Sequence, residues 1–581
     1  MSRQGFELCL RRLLNLNNDD VSRILDIFFK DIQPVPVFSF MHRASVLQRY
    51  QAGLLDKALL LTIIGLTTCL TQFENATSAF TTTCMSIAED LVLRDIEHPS
   101  VLKLQALVLV VKYKTYVKQF ASAFMLFGLA ARSAFGLRLN YESPGLCFLA
   151  QESRRRLMWS LYIIDSGLAG GLRDFVLCSE TALHLRMPCR DRSFELDAPE
   201  LEDNEDTENA RPTIKHKGSL TLYIQIMMLR SKILYQTKDI LRARVEDAKH
   251  IVLLVKRLEH DIDSFCKDLP PDYHFSEKNL RLRAYAGRLP RYVVIHIWLH
   301  QCYCDLYRLL LTGLREALPA SKVEILPNEF VQDCQRKCMD RARAISNILG
   351  SLMTLERYLP LFDLDMNICA YQAARLLFYG RRREPLHRAS SSGTTMADVE
   401  KCLSFTALAA SRSLAFRSIH DDMKALFETG QSSDVSPSGS ASPSSRPMCE
   451  KGGKQDVHAS QVMSRHSLIR QSGIVDDSDN LGMLPAEHNM VTSLQAPPLA
   501  MAETLASGPP ATNAESAFTS FEPSQLDEQE NAFQCAMDIW NPDTNTQSSA
   551  YNHIDWLQND WSDPAWQYDW TMFSTNQLHK T

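Results

Sequence analysis

The sequence predicts an all-α protein, a large multi-helix domain of packed helical layers followed by a disordered C-terminal tail. Three observations carry that expectation. Apolar residues recur at three-and-four spacing from about residue 20 to about residue 430, which is the period of a helix with one buried face. Alternating apolar and polar runs bounded by turn residues, the mark of half-buried strands, are scarce. After Gly430 the composition shifts to Ser, Pro, Gly, Ala and Gln, too poor in clustered apolar residues to offset the entropy of ordering.

Whole-chain figures bound the rest. At 581 residues the chain exceeds one ordinary core, and 45% hydrophobic with 22% charged residues is the balance of a globular protein. The net charge of -6 argues against DNA binding through the overall field, so any basic footprint is local. The fifteen cysteines lack regular spacing and follow no secretory signal, which is expected of a reduced intracellular compartment.

In chain order, residues 1–20 form a lead-in whose basic, amphipathic start resembles a transit peptide, but Asn17-Asn18-Asp19-Asp20 passes straight into a helix. The uncharged run Ala58 to Phe73 falls short of the roughly 20 apolar residues that cross a bilayer, so it predicts a buried helix and no membrane partner. Pro99-Ser100 starts the next apolar helix, and Gly136 offers a stop to the one carrying Phe120, Phe124, Phe127, Ala131 and Ala134. Residues 196–217 form an acidic-then-basic insertion between a first helical region, 21–195, and a second, 218–430. Within the latter, Val245, Val252, Val255, Leu258, Ile262 and Phe265 mark ordinary packing, being too short for a coiled coil. Arg381, Arg382, Arg383 and Arg388 are expected on an exposed basic loop, 381–395.

The chain is organised around Glu152 to Asp165, with Gly171-Leu172-Arg173 behind it. The stretch opens polar and turns apolar on nearly every side, predicting a helix that enters from the surface and ends in the core. Glu152 reaches Arg155 and Arg156 at i+3 and i+4, so the triple arginine has a local counter-charge. Asp165 at the apolar end needs a partner, and Arg173 is the nearest one in sequence.

The run ESRRRLMWSLYIIDSGLAGGLRDF (Glu152 to Phe175) resembles the signature of the fungal-specific transcription factor domain, the middle homology region of zinc-binuclear-cluster regulators. Its usual form reads roughly E-x-R-R-R-L-W-W-x-L-Y-x-L-D before a G-R-P turn. Three further segments follow the family's order: Phe28 to Leu47, Val101 to Tyr113 and Gly128 to Asn140. On this resemblance Arg154, Arg155, Arg156, Trp159, Asp165 and Arg173 form the signature core, while Met158 and Asp174 depart from the pattern. The resemblance implies a nuclear transcription regulator, for a metabolic or biosynthetic gene set, whose helical domain holds or releases an activation segment on meeting a small effector or a co-regulator.

Members of that family bind DNA through six N-terminal cysteines that hold two zinc ions. Here Cys9 alone precedes Cys69, so no zinc cofactor is expected in this chain. DNA contact is then expected only indirectly, through a zinc-cluster partner or a missing N-terminal region. A DNA-free co-regulator is the competing expectation. His300 and Cys304, with Cys334 and Cys338, would make a tetrahedral zinc site if their helices were antiparallel neighbours. Cys334 and Cys338 share a stripe with Phe330, Ala342, Ile345 and Leu349, which favours a core role. Asp19-Asp20 and Asp421-Asp422 lack the third aspartate of a diphosphate-metal motif, and no P-loop, dinucleotide or G-x-S-x-G pattern occurs. A non-enzyme is therefore expected, with a helical enzyme of dispersed active site as the least favoured alternative.

Residues 431–530 are a Ser/Pro-rich linker. In residues 531–581, Trp540, Trp556, Trp561, Trp566 and Trp570 alternate with aspartates, the composition of an acidic-aromatic activation segment. The acids keep the rings solvated and available to a transcriptional co-activator. The competing expectation is a tail that folds back onto the helical body.

Overall fold

A computed structural model describes residues 18–71, 78–199, 218–242, 247–285, 289–314, 316–355, 363–383 and 389–432, together with Leu468. The lead-in up to residue 17, most of the acidic-basic insertion, and the linker and tryptophan tail apart from Leu468 lie outside the described residues. Among the described residues there is no strand; an isolated parallel bridge joins Tyr141 and His184. The fold is all-α.

The first helices are α1 (Asn18–Ile27), α2 (Arg43–Ala52), α3 (Lys57–Thr71), α4 (Ser78–Arg94), α5 (Val101–Tyr116), α6 (Phe120–Gly136) and α7 (Phe148–Ala169). A buried π turn, Phe28–Ile32, extends α1. The uncharged run becomes α3, which is buried on nearly every side. Ser100 caps α5 by accepting the Lys103 amide at 3.3 Å, as the Pro-Ser signal predicts. The end of α6 differs from expectation. Gly136 stays helical, and the left-handed turn falls on Arg138, with φ +52°.

The short α8 (Asp191–Glu195) precedes α9 (Ser219–Arg242), α10 (Ala248–Lys267), α11 (Glu277–Ala284) and α12 (Leu289–Tyr307). Then come α13 (Ala320–Val323), α14 (Asn328–Met353), α15 (Leu364–Arg383), α16 (Ala389–Ala410) and α17 (Leu414–Ser432). The expected basic loop is shorter than 381–395, because α15 continues through Arg383 and α16 begins at Ala389. The α10 stripe of Ile251, Val255, Leu258 and Ile262 is buried, and α10 packs on α12.

Helices close in sequence are mostly close in space. α3 packs on α4 and α5, α5 on α6, and α14 to α17 pack on one another. α12 is the hub of the second half, lying against α9, α10, α14 and α15. α7 touches α5, α6 and α9, and α17 returns to α5, so both halves of the sequence share one packed body.

The turn after α7 is fixed by two left-handed glycines, Gly170 at φ +56° and Gly171 at φ +84°. A Cβ on Gly171 would sit 2.6 Å from Leu234 Cβ on α9, so the residue is held by both conformation and close approach. Gly171→Ala is therefore expected to destabilise by about 2–3 kcal/mol. Gly136→Ala, where a Cβ meets nothing within 4 Å, is expected to be neutral or stabilising by up to about 1 kcal/mol. Urea unfolding followed by circular dichroism measures both; equal losses at the two glycines would refute the account of the turn.

Candidate functional site

The polar start of α7 does not enter from the surface as its sequence suggests. Glu152, Arg154, Arg155 and Arg156 are all buried. Glu152 bonds to Arg155 Nη1, accepts Arg156 Nε at 2.8 Å, and accepts the Cys189 amide at 2.9 Å. Arg155 also forks onto Glu142, with Nε to Oε1 at 2.9 Å and Nη2 to Oε2 at 2.7 Å. Arg156 continues the chain to Asp191 Oδ1 at 3.0 Å and lies 4.2 Å from the Phe194 ring centroid. Asp191 in turn bonds Arg291 Nη1 from α12, and Arg291 donates to Pro34 O at 2.9 Å and to Ser39 Oγ.

Burial alone would raise the Asp191 pKa, but Arg291 and then Arg156 outweigh it and hold the carboxyl well below its usual range. Burial likewise opposes the charge on Arg156, and Asp191 and Glu152 more than restore it. The network ties α7, α8, α12 and the segment before α2 into one charge-balanced unit. Arg154 stands apart. Its Nη2 donates to Leu137 O at 2.8 Å, and burial lowers its pKa to about 10. Trp159 Nε1 donates to Arg186 O at 3.0 Å, so the indole pins the strand-like segment before α8 onto α7.

Asp165 does not pair with Arg173. Its Oδ2 accepts the amides of Leu177 at 2.9 Å and Cys178 at 2.7 Å, closing the turn by backbone bonds. Burial raises its pKa to about 6 against the pull of those two amides. Arg173 instead reaches Asp239 at 3.4 Å on the exposed side of α9 and lies over Tyr235, 4.6 Å from the ring centroid. A side chain eight positions on could have closed a turn, but the amides of the turn itself are nearer and need no long side chain to be ordered.

α12 and α14 are antiparallel neighbours, as the zinc idea requires: Cys304 lies at Cys338 and Arg341 over the Tyr303 ring. The four donors do not converge. Cys304 Sγ approaches Cys338 O at 3.9 Å, Cys334 lies a turn away towards Tyr307, and His300 faces Arg341. Among the described residues no group of three or more His, Cys, Asp or Glu side chains is placed to hold a metal. Burial pushes the His300 pKa down to about 3 and the Cys334 thiol up to about 12, which suits neutral core side chains.

Residues 25–261, from α1 into α10, match the family model of the fungal specific transcription factor domain. This part of the chain is such a domain. A relative named Zn(2)-C6 fungal-type transcription factor FTF1c, from Fusarium oxysporum f. sp. lycopersici, is 21% identical over 360 residues, covering 57% of this chain and 38% of its own length. FTF1a from the same organism is 22% identical over 360 residues, covering 56% of this chain and 32% of its own length. The chain thus spans 32% to 38% of the length of these curated relatives. No solved structure matches. Both relatives are named as transcription factors.

At its other end, α7 of the fungal specific transcription factor domain borders a cavity of about 70 Å³ between α7, α9, α12 and α15. Gly167 and Gly170, Arg230 and Lys238, Gln301 and Asp305 contribute to its wall. Sequence periodicity missed these polar residues. The available signal was Asp305 and Arg308 inside the otherwise uncharged run from Val293 to Leu311, where charge is costly unless it has a purpose.

Two outcomes are expected at α7. Arg156→Met takes one of two arginine partners from each of the buried carboxylates Glu152 and Asp191 and should cost about 3–5 kcal/mol in urea unfolding, with Arg156→Lys recovering only part of it. For Asp165, the folded chain holds the proton more tightly than the unfolded one. Its contribution is fully present below about pH 4 and is lost as pH rises through about 6. The stability of the wild type relative to Asp165→Asn should therefore fall by roughly 3 kcal/mol between pH 4 and pH 7, and a flat difference would contradict the raised pKa.

Proposed function

We propose that the chain is a fungal-type transcription regulator acting in the nucleus, in which the helical body controls an acidic-aromatic activation segment, residues 531–581. The observation that carries this reading is the fungal specific transcription factor domain over residues 25–261, supported by relatives named as transcription factors. The domain's packing supports the same role. Two of its signature arginines, Arg155 and Arg156, are spent on a buried, charge-balanced network, so they brace the body and leave partner contact to other parts of the chain.

The partners of such a regulator are DNA or the transcriptional machinery. The finer reading is a co-activator that takes the tail tryptophans into an apolar groove, each ring supplying much area for little rotamer entropy. DNA is then met through a zinc-cluster factor or an N-terminal region outside this sequence. The regulatory division we favour is 21–195 with 218–430 as body, 431–530 as linker and 531–581 as effector segment.

Residues 531–581 fused to an unrelated DNA-binding module should activate a reporter at least about tenfold. Replacing Trp540, Trp556, Trp561, Trp566 and Trp570 by alanine should remove most of that activation. A silent fusion would replace the activation reading by one in which the tail docks on the body.

A further inference from the structure

The cavity at the end of α7 is built differently from the network at its start. Arg230 donates to Asp305 Oδ2 at 2.9 Å, Arg308 Nη2 reaches Asp305 Oδ1 at 3.1 Å, and Gln301 Nε2 donates to the same Oδ1 at 2.7 Å. Asp305 is thereby saturated. Lys238 remains on the wall with one polar partner on α7, the carbonyl of Gly170, the last-turn acceptor of that helix. Gln301, 1% exposed, keeps its Oε1 without a hydrogen-bond donor among the described residues. Lys238 and the Gln301 side chain therefore line a common space. The rest of the wall mixes Asp365 and Gln372 from α15 with apolar Leu234, Trp298, Ile368 and Cys369, and Leu468 completes it.

We propose that this cavity binds a small hydroxy acid, its carboxylate against Lys238 and Arg308 and its hydroxyl donating to Gln301 Oε1. The volume sets the size. About 70 Å³ is room for roughly five water molecules, so the ligand has three to five carbons, lying against Leu234 and Ile368. The charge sets the class. The groups facing Lys238 are Arg230 and Arg242 on α9, Asp305 and Arg308 at the end of α12, and Asp365 on α15, so arginine outweighs carboxylate around the ammonium. Burial first, and then Arg308, Arg230 and Arg242, lower the Lys238 pKa to about 7. A carboxylate reverses that imbalance and draws a proton onto the amine. Leu468 belongs to the stretch that leads from α17 to the tail, and its Cδ1 would lie 4.0 Å from a Cβ placed on Gly167. An occupant of the cavity therefore touches the connection to the activation segment. The proposal takes its regulatory purpose from the function proposed above, but the binding itself does not depend on it.

Calorimetric titration of the full chain at pH 7.5 with lactate and with malate tests this, with lactamide as the uncharged control. Saturable binding of at least one acid is expected, with none for lactamide. The heat should differ between phosphate and Tris buffers because a proton is taken up. Lys238→Met should weaken binding about tenfold or more and abolish the buffer dependence, and Gln301→Leu should weaken it several-fold, in variants whose circular dichroism matches the wild type. No saturable heat with either acid, equal binding of lactamide, or buffer-independent heat in the wild type would overturn the proposal. None of these results bears on the reporter fusion, so the cavity and the tail fail or survive separately.

Discussion

The buried chain of charges from Glu142 through Arg155, Glu152, Arg156 and Asp191 to Arg291 is the constraint on which the body depends. Each ion in it loses hydration on folding, a cost of several kcal/mol that only a neighbour of opposite sign can offset. Three arginines face three carboxylates, and their remaining donors reach main-chain carbonyls at Cys189 and Pro34. The network is satisfied only when four distant stretches meet. A misregistered α7 or α12 would leave a bare charge in the core, so the arrangement penalises alternative packings more than it adds to stability.

This explains why α7 can be buried from end to end. Ordinary helices keep a polar face for water, whereas α7 buries its charged residues and gives each one a protein partner. At its far end the same logic uses smaller groups. Asp165 gathers two turn amides, and Gly170 leaves its carbonyl to Lys238. The helix is fixed at both termini by bonds to segments outside its own hairpin, which makes it an axle between the first helices and α9.

Legibility in the sequence followed the range of the interaction. The pairing of Glu152 with Arg155 and Arg156 is written in i+3 and i+4 spacing, and the structure has it. Asp191 and Arg291 were invisible, because Asp191 lies 35 residues from Arg156 and Arg291 a further 100 residues on. Apolar period gave the helices themselves, including α3 and the α14 stripe of Cys334, Cys338 and Ala342. It misjudged the polar head of α7, since period reports polarity and cannot tell water from a buried partner. Gly136 was a fair stop signal that the chain did not need, because Arg138 accepts the left-handed turn at the α6 end.

Two kinds of buried polar site thus coexist on one helix, and charge balance separates them. In the network every formal charge has an opposite within hydrogen-bond reach, so a further ion would find nothing to neutralise. Around the cavity, Asp305 is consumed by Arg230 and Arg308, and the nearest charges to Lys238 are mainly its own sign. A folded body tolerates such an imbalance only where the amine can give up its proton or a ligand can supply the missing charge. The closed network therefore fixes geometry, whereas the open cavity leaves free energy to be recovered by binding. That difference puts responsiveness at the C-terminal end of α7 and rigidity at its N-terminal end.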